Sequence, residues 1–278
     1  MADTGAGFSA ALTRDVRVGV WLARARVRGE LQYRTSFALV VASQLLVTVG
    51  DLVAIVALFS KAGQIGGWTR SQVIVLYGVT TTAFALADLA ASGVDLVADW
   101  VREGRFDRLL VRPAGALAQL AGHEFQLRRL GRLPQPVVTL IVGLSMAGVH
   151  PTPRNLVLLV AAIVGAAVLF VALFVLTSSL AFWSPDSDEV ANAFTYGGQH
   201  ASQYPADLFG NWLRRWLFTL VPTGFVCYAP VMVVVGAPNA LGLPVWVSYV
   251  GPLAAVPFAL VAAAAWRSGT RHHTSTGS

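Results

Sequence analysis

The chain has 278 residues, of which 55% are hydrophobic and only 12% are charged. A soluble domain carries about 25% charged residues, so the composition excludes an ordinary soluble globular protein and indicates an integral membrane protein. Orientation in a membrane is enough to explain the net charge of +6, and we expect no nucleic acid partner. Cys227 is the only cysteine, so no intramolecular disulfide can form, and its apolar surroundings predict a packing role.

The first 34 residues are rich in arginine and lack the uninterrupted apolar stretch of a cleaved signal peptide. We expect residues 1–34 to form a cytoplasmic amphipathic segment in the membrane interface, with Trp21, Leu22 and Val27 dipping inward. Residues 35–267 are predicted to form one transmembrane domain. Residues 268–278 are predicted to be a disordered cytoplasmic tail.

Long apolar runs predict the spanning helices, because a bilayer core is about 30 Å thick. In chain order the clear runs are 37–59, about 72–97 with its helix continuing toward residue 103, 133–149, 155–183 and 244–266. The stretch between residues 184 and 236 is ambiguous. Hydropathy selects 216–235 as a span, whereas the preceding residues 188–203 are only weakly hydrophobic.

The arginines favour six spans over seven. With six spans and both termini in the cytoplasm, the cytoplasmic segments hold six arginines before the first span, seven between Arg102 and Arg132, and two after the last span. Seven spans would place the two termini on opposite sides. The predicted fold class is therefore an all-α integral membrane protein with six transmembrane helices.

Motifs for catalysis and metal binding are missing from the sequence. Lys61 is the only lysine and no G-x-x-x-x-G-K precedes it, so we expect no ATP hydrolysis by this chain. Ser145 lies in GLSMA, which breaks the G-x-S-x-G pattern and falls inside an apolar run, where small residues favour close helix packing. The histidines are scattered or in the tail. We expect no catalytic residue, no metal site and no cofactor bound by this chain.

Three aspartates mark the second span. Asp88, Asp95 and Asp99 are spaced to share one face of a continuous helix. Carboxylates within a membrane face protein or water, because lipid cannot solvate them. The row is compatible with a proton or cation path, with simple solvation, or with a polar lining in which Asp95 and Asp99 pair with basic residues such as Arg102. Asp51 in the first span is a candidate companion.

A tightly patterned segment, REGRFDRLLVRPAG, follows the second span at residues 102–115. Gly104 can end one helix and Pro113 stops the next. Between them, apolar residues at helical spacing form an edge, and arginines lie on the adjacent face. The edge holds Phe106, Leu109 and Leu110, and the basic face holds Arg105, Arg108 and Arg112. Such a helix suits docking to a cytoplasmic protein or lying on lipid headgroups.

Three stretches, in order, resemble a known family. GRFDRLLVRP is similar to the segment after the second span in permease subunits of bacterial type-2 ABC exporters, the daunorubicin-resistance-like six-span proteins. AFWSPDSDEV at 181–190 resembles their inner loop between spans four and five. Residues 204–236 resemble their Tyr-Pro, Leu-Arg, Pro-x-x-Phe and Tyr-x-Pro succession. The likeness extends over about residues 35–267.

The resemblance implies a permease subunit that forms the translocation pathway of an exporter. Two separate ABC ATPase subunits would bind ATP and Mg, and a second permease, identical or a sibling, would complete the transporter. The coupling helix, about 104–112, would contact the ATPase, and span two would carry the movement. Its contacting residues would be Arg105, Phe106, Asp107, Arg108, Leu109 and Arg112, and a second cytoplasmic contact would comprise Ser184, Asp186, Asp188 and Glu189.

The resemblance also implies a topology and a location. Span five would lie at about 188–203, and residues 208–235 would form short re-entrant helices before span six. The protein would be multi-pass in the bacterial inner membrane with both termini cytoplasmic. Two other functions stay open from the residues: an ion-coupled secondary carrier using the span-two aspartates, and a membrane scaffold without transport.

Overall fold

The computed structural model describes residues 34–60, 63–91, 93–112, 114–123, 129, 131–184 and 188–273. The predicted interfacial segment lies outside the described residues except for Arg34, as do Pro113, Asp186 and the end of the tail. The described residues are mostly helical, with one two-stranded hairpin in which β1 (Gln64–Ile65) pairs antiparallel with β2 (Trp68–Thr69).

The helices follow one another with short connections. They are α1 (Arg34–Leu58), α2 (Arg70–Ala90), α3 (Val97–Arg102), α4 (Asp107–Leu110), α5 (Ala116–His123), α6 (Pro134–Met146), α7 (Pro153–Ser179), α8 (Asp188–Ser202), α9 (Asn211–Thr219), α10 (Ala229–Val235), α11 (Val245–Val250) and α12 (Ala255–His272). Single 3₁₀ turns occupy Val94–Leu96, Leu180–Phe182, Ala206–Leu208 and Gly251–Ala254, and a π-helical turn occupies Gly224–Tyr228.

Three of the described helices are long and apolar enough to cross a membrane without a sharp bend. They are Arg70–Ala90, Pro153–Phe182 and Val245–His272. Leu45–Leu58 in α1 and Pro134–Met146 are shorter apolar helices. Large apolar side chains on these elements, such as Leu46 and Val157, are exposed, as expected for surfaces that face lipid. The number of crossings, six, stays a prediction.

The ambiguous stretch does not contain one straight span. The helical pair Asn211–Thr219 and Gly224–Val235 is bent by 83°. Pro222 lies in the break, where it cannot donate a backbone hydrogen bond. A span over 216–235, as hydropathy selects, would therefore be a broken one, and α8 forms a separate helix in the weakly hydrophobic stretch before it.

The core lies where α2 packs against α6 and α7, and where α12 packs against α7. Small residues allow the α2–α6 contact. A Cβ atom added to Gly78 would lie 2.7 Å from the Leu140 Cα, and one added to Gly143 would lie 3.0 Å from the backbone nitrogen of Val75. Gly143 belongs to the stretch around Ser145, so close helix packing explains the small residues there.

The helix of the second predicted span does not continue unbroken to residue 103. It ends at Ala90, Gly93 adopts a left-handed conformation with φ of 83°, and a 3₁₀ turn leads into α3. Glycine takes this conformation readily because it has no Cβ. The prediction that Asp88, Asp95 and Asp99 share one continuous helix is therefore wrong, because the break separates Asp88 from the other two.

The last helix continues to His272, past the predicted start of the tail at residue 268. Its end is held in place, since the His273 ring lies 2.9 Å from the Asp107 carboxylate in α4. The expectation of a disordered tail is corrected for residues 268–273. Residues 274–278 lie outside the described part of the chain.

Candidate functional site

A buried cluster of ion pairs joins the end of α2 to the residues before α6. Arg129 donates through Nη1 to the carbonyl oxygen of Asp88 at 3.0 Å and to its carboxylate, and through Nη2 to Asp95 Oδ2 at 3.1 Å. Arg132 donates to the second carboxylate oxygen of Asp88 at 3.1 Å. Asp88 and Arg129 are both buried, so each charge must be stabilised by the opposite charge of its partner.

Arg129 keeps its positive charge in this cluster. Burial by itself lowers the pKa of its guanidinium, but the Asp88 and Asp95 carboxylates raise it by more, and the resulting pKa lies above the ordinary value. A guanidinium can donate from two nitrogens at once in a fixed plane, which is the geometry that two carboxylates on different helical segments require.

A cavity of about 270 Å³ opens beside Asp95 and Asp99, the two aspartates after the break at Gly93. Asp95 and Asp99 line one side of it, and Thr177, Asn192 and Tyr196 from α7 and α8 are among the residues lining the other. Arg102 pairs with Asp99 at 2.7 Å. Each of the three aspartates thus has an arginine partner, and two of them line a polar cavity.

A second cavity, of about 100 Å³, lies on the other side of Asp88 and is lined by Tyr77, Arg132 and Gln199 among others. The Tyr77 hydroxyl donates to Asp51 at 2.9 Å. Aromatic rings separate the two cavities. Phe84, which lines the smaller one, contacts Phe174 and Tyr196, which line the larger, with ring centroids 5.7 Å and 5.6 Å apart.

The segment at residues 104–112 begins in a tight turn at the end of α3. Gly104 is left-handed, with φ of 63°, as predicted for a residue that ends a helix. The next two backbone nitrogens, those of Arg105 and Phe106, both donate to the carbonyl of Trp100 at 2.9 and 3.0 Å. The Arg105 guanidinium stacks 4.7 Å over the Trp100 ring. The turn therefore fixes α4 directly to α3.

Two of the three residues of the apolar edge, Phe106 and Leu109, face the interior of the protein, whereas Leu110 does not. Phe106 is 0% exposed and Leu109 is 2% exposed. The Phe106 ring packs edge-on against Phe182, Trp266 and His273, with centroids 5.1, 6.1 and 5.3 Å away. The hypothesis that Phe106 and Leu109 offer an apolar edge to a partner is therefore corrected: aromatic residues at the ends of α7 and α12 already cover Phe106.

The opposite side of the segment is open. Its exposed face consists of Arg108, Leu110, Val111 and Arg112. Val111 is 84% exposed and Leu110 is 48% exposed, so two branched apolar side chains project outward between two arginines. Gln119 supports the segment from α5 by donating to the carbonyls of Leu109 and Ala114 at 3.0 and 2.7 Å.

The second predicted contact is only partly described. Ser184 and Glu189 are exposed, Asp188 begins α8, and Asp186 lies outside the described residues. No group of His, Cys, Asp and Glu within the described residues could hold a metal ion. Ser145 lies within helix α6 and is not at a strand-to-helix turn.

A family model for ABC-2 family transporter protein matches residues 45–277. The chain belongs to the ABC-2 transporter family. No curated protein and no solved structure matches the chain significantly. The matched range contains the Asp88–Asp95–Arg129 cluster, the 104–112 segment and the bent α9–α10 pair. This ABC-2 chain is accordingly a membrane protein and a permease component of an ABC transporter, a class that associates with ABC ATPase partners.

Arg129 is the residue of this ABC-2 protein that sequence reasoning missed. The sequence predicts only that it is one of the cytoplasmic arginines, and the fold brings it to Asp88, 41 positions away in the chain. The available signal was a buried carboxylate in a span, which requires a cationic partner from another segment.

Sequence reasoning also missed a polar cluster around Asp207, which lies between α8 and α9. Asp207 is surrounded by Trp68 from the hairpin and Tyr228 from the π-helical turn, and Arg214 donates to the backbone carbonyls of Asp207 and Phe209. Burial raises the pKa of Asp207, and neither of its carboxylate oxygens has a hydrogen-bond partner among the described residues. This cluster connects the hairpin to the bent pair.

Proposed function

We propose that this chain is the membrane subunit of an ATP-driven exporter, in which a separate ATPase supplies the energy. The observation that carries the proposal is the family match over residues 45–277. The sequence adds that this chain has a single lysine and no phosphate-binding loop around it. ATP and Mg would therefore bind to the partner subunit, and no cofactor to this chain.

The ATPase contact is the exposed face of the 104–112 segment. Arg108 and Arg112 supply charge, and Leu110 and Val111 supply apolar surface between them. Interfaces favour this combination, because apolar side chains at the centre are rimmed by charges that steer the partner. The roles first given to Phe106 and Leu109 become structural, since their packing joins the segment to the ends of α7 and α12.

The second cytoplasmic contact comprises Ser184, Asp186, Asp188 and Glu189. It would present acidic groups to the ATPase, whereas the first contact presents basic ones. Two ATPase subunits and a second permease subunit, identical or a sibling, would complete the transporter.

The topology has six spans, both termini in the cytoplasm, and a place in the bacterial inner membrane. Span five is α8, and the 83° bend between α9 and α10 supports a re-entrant path that enters the outer leaflet and returns. Arg214 and Arg215 then lie outside. The bonds from Arg214 to two backbone carbonyls give one of these arginines a structural role there.

The secondary-carrier alternative receives less support. A carrier would need a carboxylate that exchanges protons or cations, and arginines bind both oxygens of Asp88. Polar lining of the pathway is the function that these contacts favour for Asp88, Asp95 and Asp99. A scaffold without transport would have no need of an ATPase.

Purification from native membranes in mild detergent tests the proposal. We expect an ABC ATPase to co-purify in two copies per transporter and the complex to hydrolyse ATP. The Arg108→Glu/Arg112→Glu double variant should lose the ATPase, because both charges of the exposed face are reversed. Arg215→Glu, which reverses an exposed arginine at the other end of the protein, is the matched control and should retain it.

Two results would count against the exporter. Purification of the wild-type protein without any nucleotide-binding partner, with transport that stops in Asp88→Asn alone, would favour the carrier. An intact complex that neither hydrolyses ATP nor moves any solute would favour the scaffold.

A further inference from the structure

The break after α2 raises a mechanical problem. A continuous helix transmits displacement through its ladder of backbone hydrogen bonds. Here α2 ends at Ala90 and the left-handed Gly93 separates it from the 3₁₀ turn and α3. One backbone hydrogen bond crosses the break, from the Val94 nitrogen to the Ala91 carbonyl at 2.9 Å. A push on α3 would therefore rotate the chain about Gly93 and displace α2 little, unless a side-chain contact also connects the two segments.

Arg129 makes such a contact. One of its terminal nitrogens bonds Asp88, which lies on α2 before the break, and the other bonds Asp95, which lies in the 3₁₀ turn after it. The Arg129 side chain is 10% exposed, so water competes little for these bonds. Its guanidinium is planar and fixes two acceptors at a set distance.

The contacts continue on both sides of Arg129. After the break, the Trp100 carbonyl at the end of α3 accepts bonds from the first residues of the 104–112 segment. Before the break, Asp88 is also held by Arg132, next to the start of α6. Beside the lower segment, the cavity of about 270 Å³ leaves space into which α3 can move.

We propose that Arg129 is the positioning residue that carries movement of the coupling segment across the break to α2. This inference rests on the proposed function, since it assumes that an ATPase drives the 104–112 segment. Arg132 binds the same aspartate but does not cross the break, so it shares the electrostatic role of Arg129 and lacks the mechanical one. Variants of Arg129 and Arg132 can therefore distinguish the mechanical role from the electrostatic one.

The test measures each end of the second span separately in the reconstituted complex of permease and ATPase. Spin labels on Glu103→Cys and Val157→Cys report movement of the lower end relative to α7. Labels on Arg70→Cys and Val157→Cys report movement of the outer end. The only native cysteine, Cys227, is buried and should react little with the label. The distances are compared without nucleotide and with ATP plus vanadate.

In the wild-type complex, both distances should shift with ATP and vanadate. In Arg129→Gln the lower shift should persist and the outer shift should be lost, and Asp95→Asn should have the same effect because it weakens only the contact after the break. Arg132→Gln should retain both shifts. Arg129→Lys keeps the positive charge but has one terminal nitrogen in place of the two that bond Asp88 and Asp95. It should lose most of the outer shift.

Several results would overturn the proposal. One is an outer shift of wild-type size in Arg129→Gln or Asp95→Asn. Another is an equal loss in Arg132→Gln, which would leave the cluster with a purely structural role. If the Arg129→Gln protein does not assemble with the ATPase, the outer shift measured in Asp95→Asn tests the proposal in its place. Absence of the lower shift in the wild-type complex would instead refute the proposed function, because the ATPase would then not be driving the coupling segment.

Discussion

Replacing Phe106 by alanine should destabilise the protein and leave the ATPase contact surface chemically unchanged. The ring is 0% exposed and lies among Phe182, Trp266 and His273. Removing a buried phenylalanine costs about 3–5 kcal/mol of unfolding free energy, because apolar contacts are lost and a cavity remains. At about 2–4 °C per kcal/mol for a chain of this size, the melting temperature should fall by roughly 10 °C.

The assay can use the protein's own cysteine. Cys227 is buried, so a thiol-reactive dye should become fluorescent as the purified protein unfolds in detergent. Leu110→Ala is the matched control: its side chain is 48% exposed, and its loss should change the melting temperature by about 2 °C or less. If Phe106→Ala melted like the wild type yet failed to bind the ATPase, Phe106 would be a docking residue and not a packing residue.

Further predictions concern packing, charge and pH. Gly78→Ala should destabilise the protein by about 1–3 kcal/mol, because its Cβ would lie 2.7 Å from the α6 backbone, whereas Gly50→Ala, which has open space, should not. Asp88→Asn should cost about 1–3 kcal/mol, because Arg129 and Arg132 lose a charged acceptor while Arg129 keeps its bond to Asp95, and adding Arg129→Gln should recover part of that loss in the same melting assay. Burial raises the pKa of Asp207 above 3.8, so the folded protein binds more protons at this residue than the unfolded protein does. Its contribution to stability therefore falls as pH rises. In melting experiments from about pH 4 to about pH 8, Asp207→Asn should lose this part of the pH dependence.

Much of the fold could be predicted from apolar runs and turn residues. Gly104 ends a helix where its sequence context suggested, and the structure has a helix at each predicted span, α8 among them. The break at Gly93 was not predicted, because an isolated glycine in an apolar run is compatible with a continuous helix. Hydropathy did not predict the bend around Pro222, because it measures apolar content and not helix direction.

The candidate site was harder to predict, because tertiary contacts decide which side of a short helix is free. Phe106 and Leu109 have the spacing of a docking edge, and the same spacing also suits burial. The sequence could not reveal that the end of α12, with Trp266 and His273, returns to cover Phe106. Likewise, Asp88 indicated that a cation was needed, but identifying Arg129 required knowing how the residues before α6 fold back on α2.

Photocrosslinking from the exposed face tests the central claim most directly. A photoreactive amino acid at Val111, which is 84% exposed, would be activated in intact cells and its adducts identified by mass spectrometry. If the 104–112 segment receives energy from a separate ATPase, the main adduct should join this chain to a protein with a phosphate-binding loop. The same amino acid at Val245, which is also exposed but lies at the other end of the protein, should give no such adduct. Crosslinks from Val111 to lipid alone would contradict the coupling role.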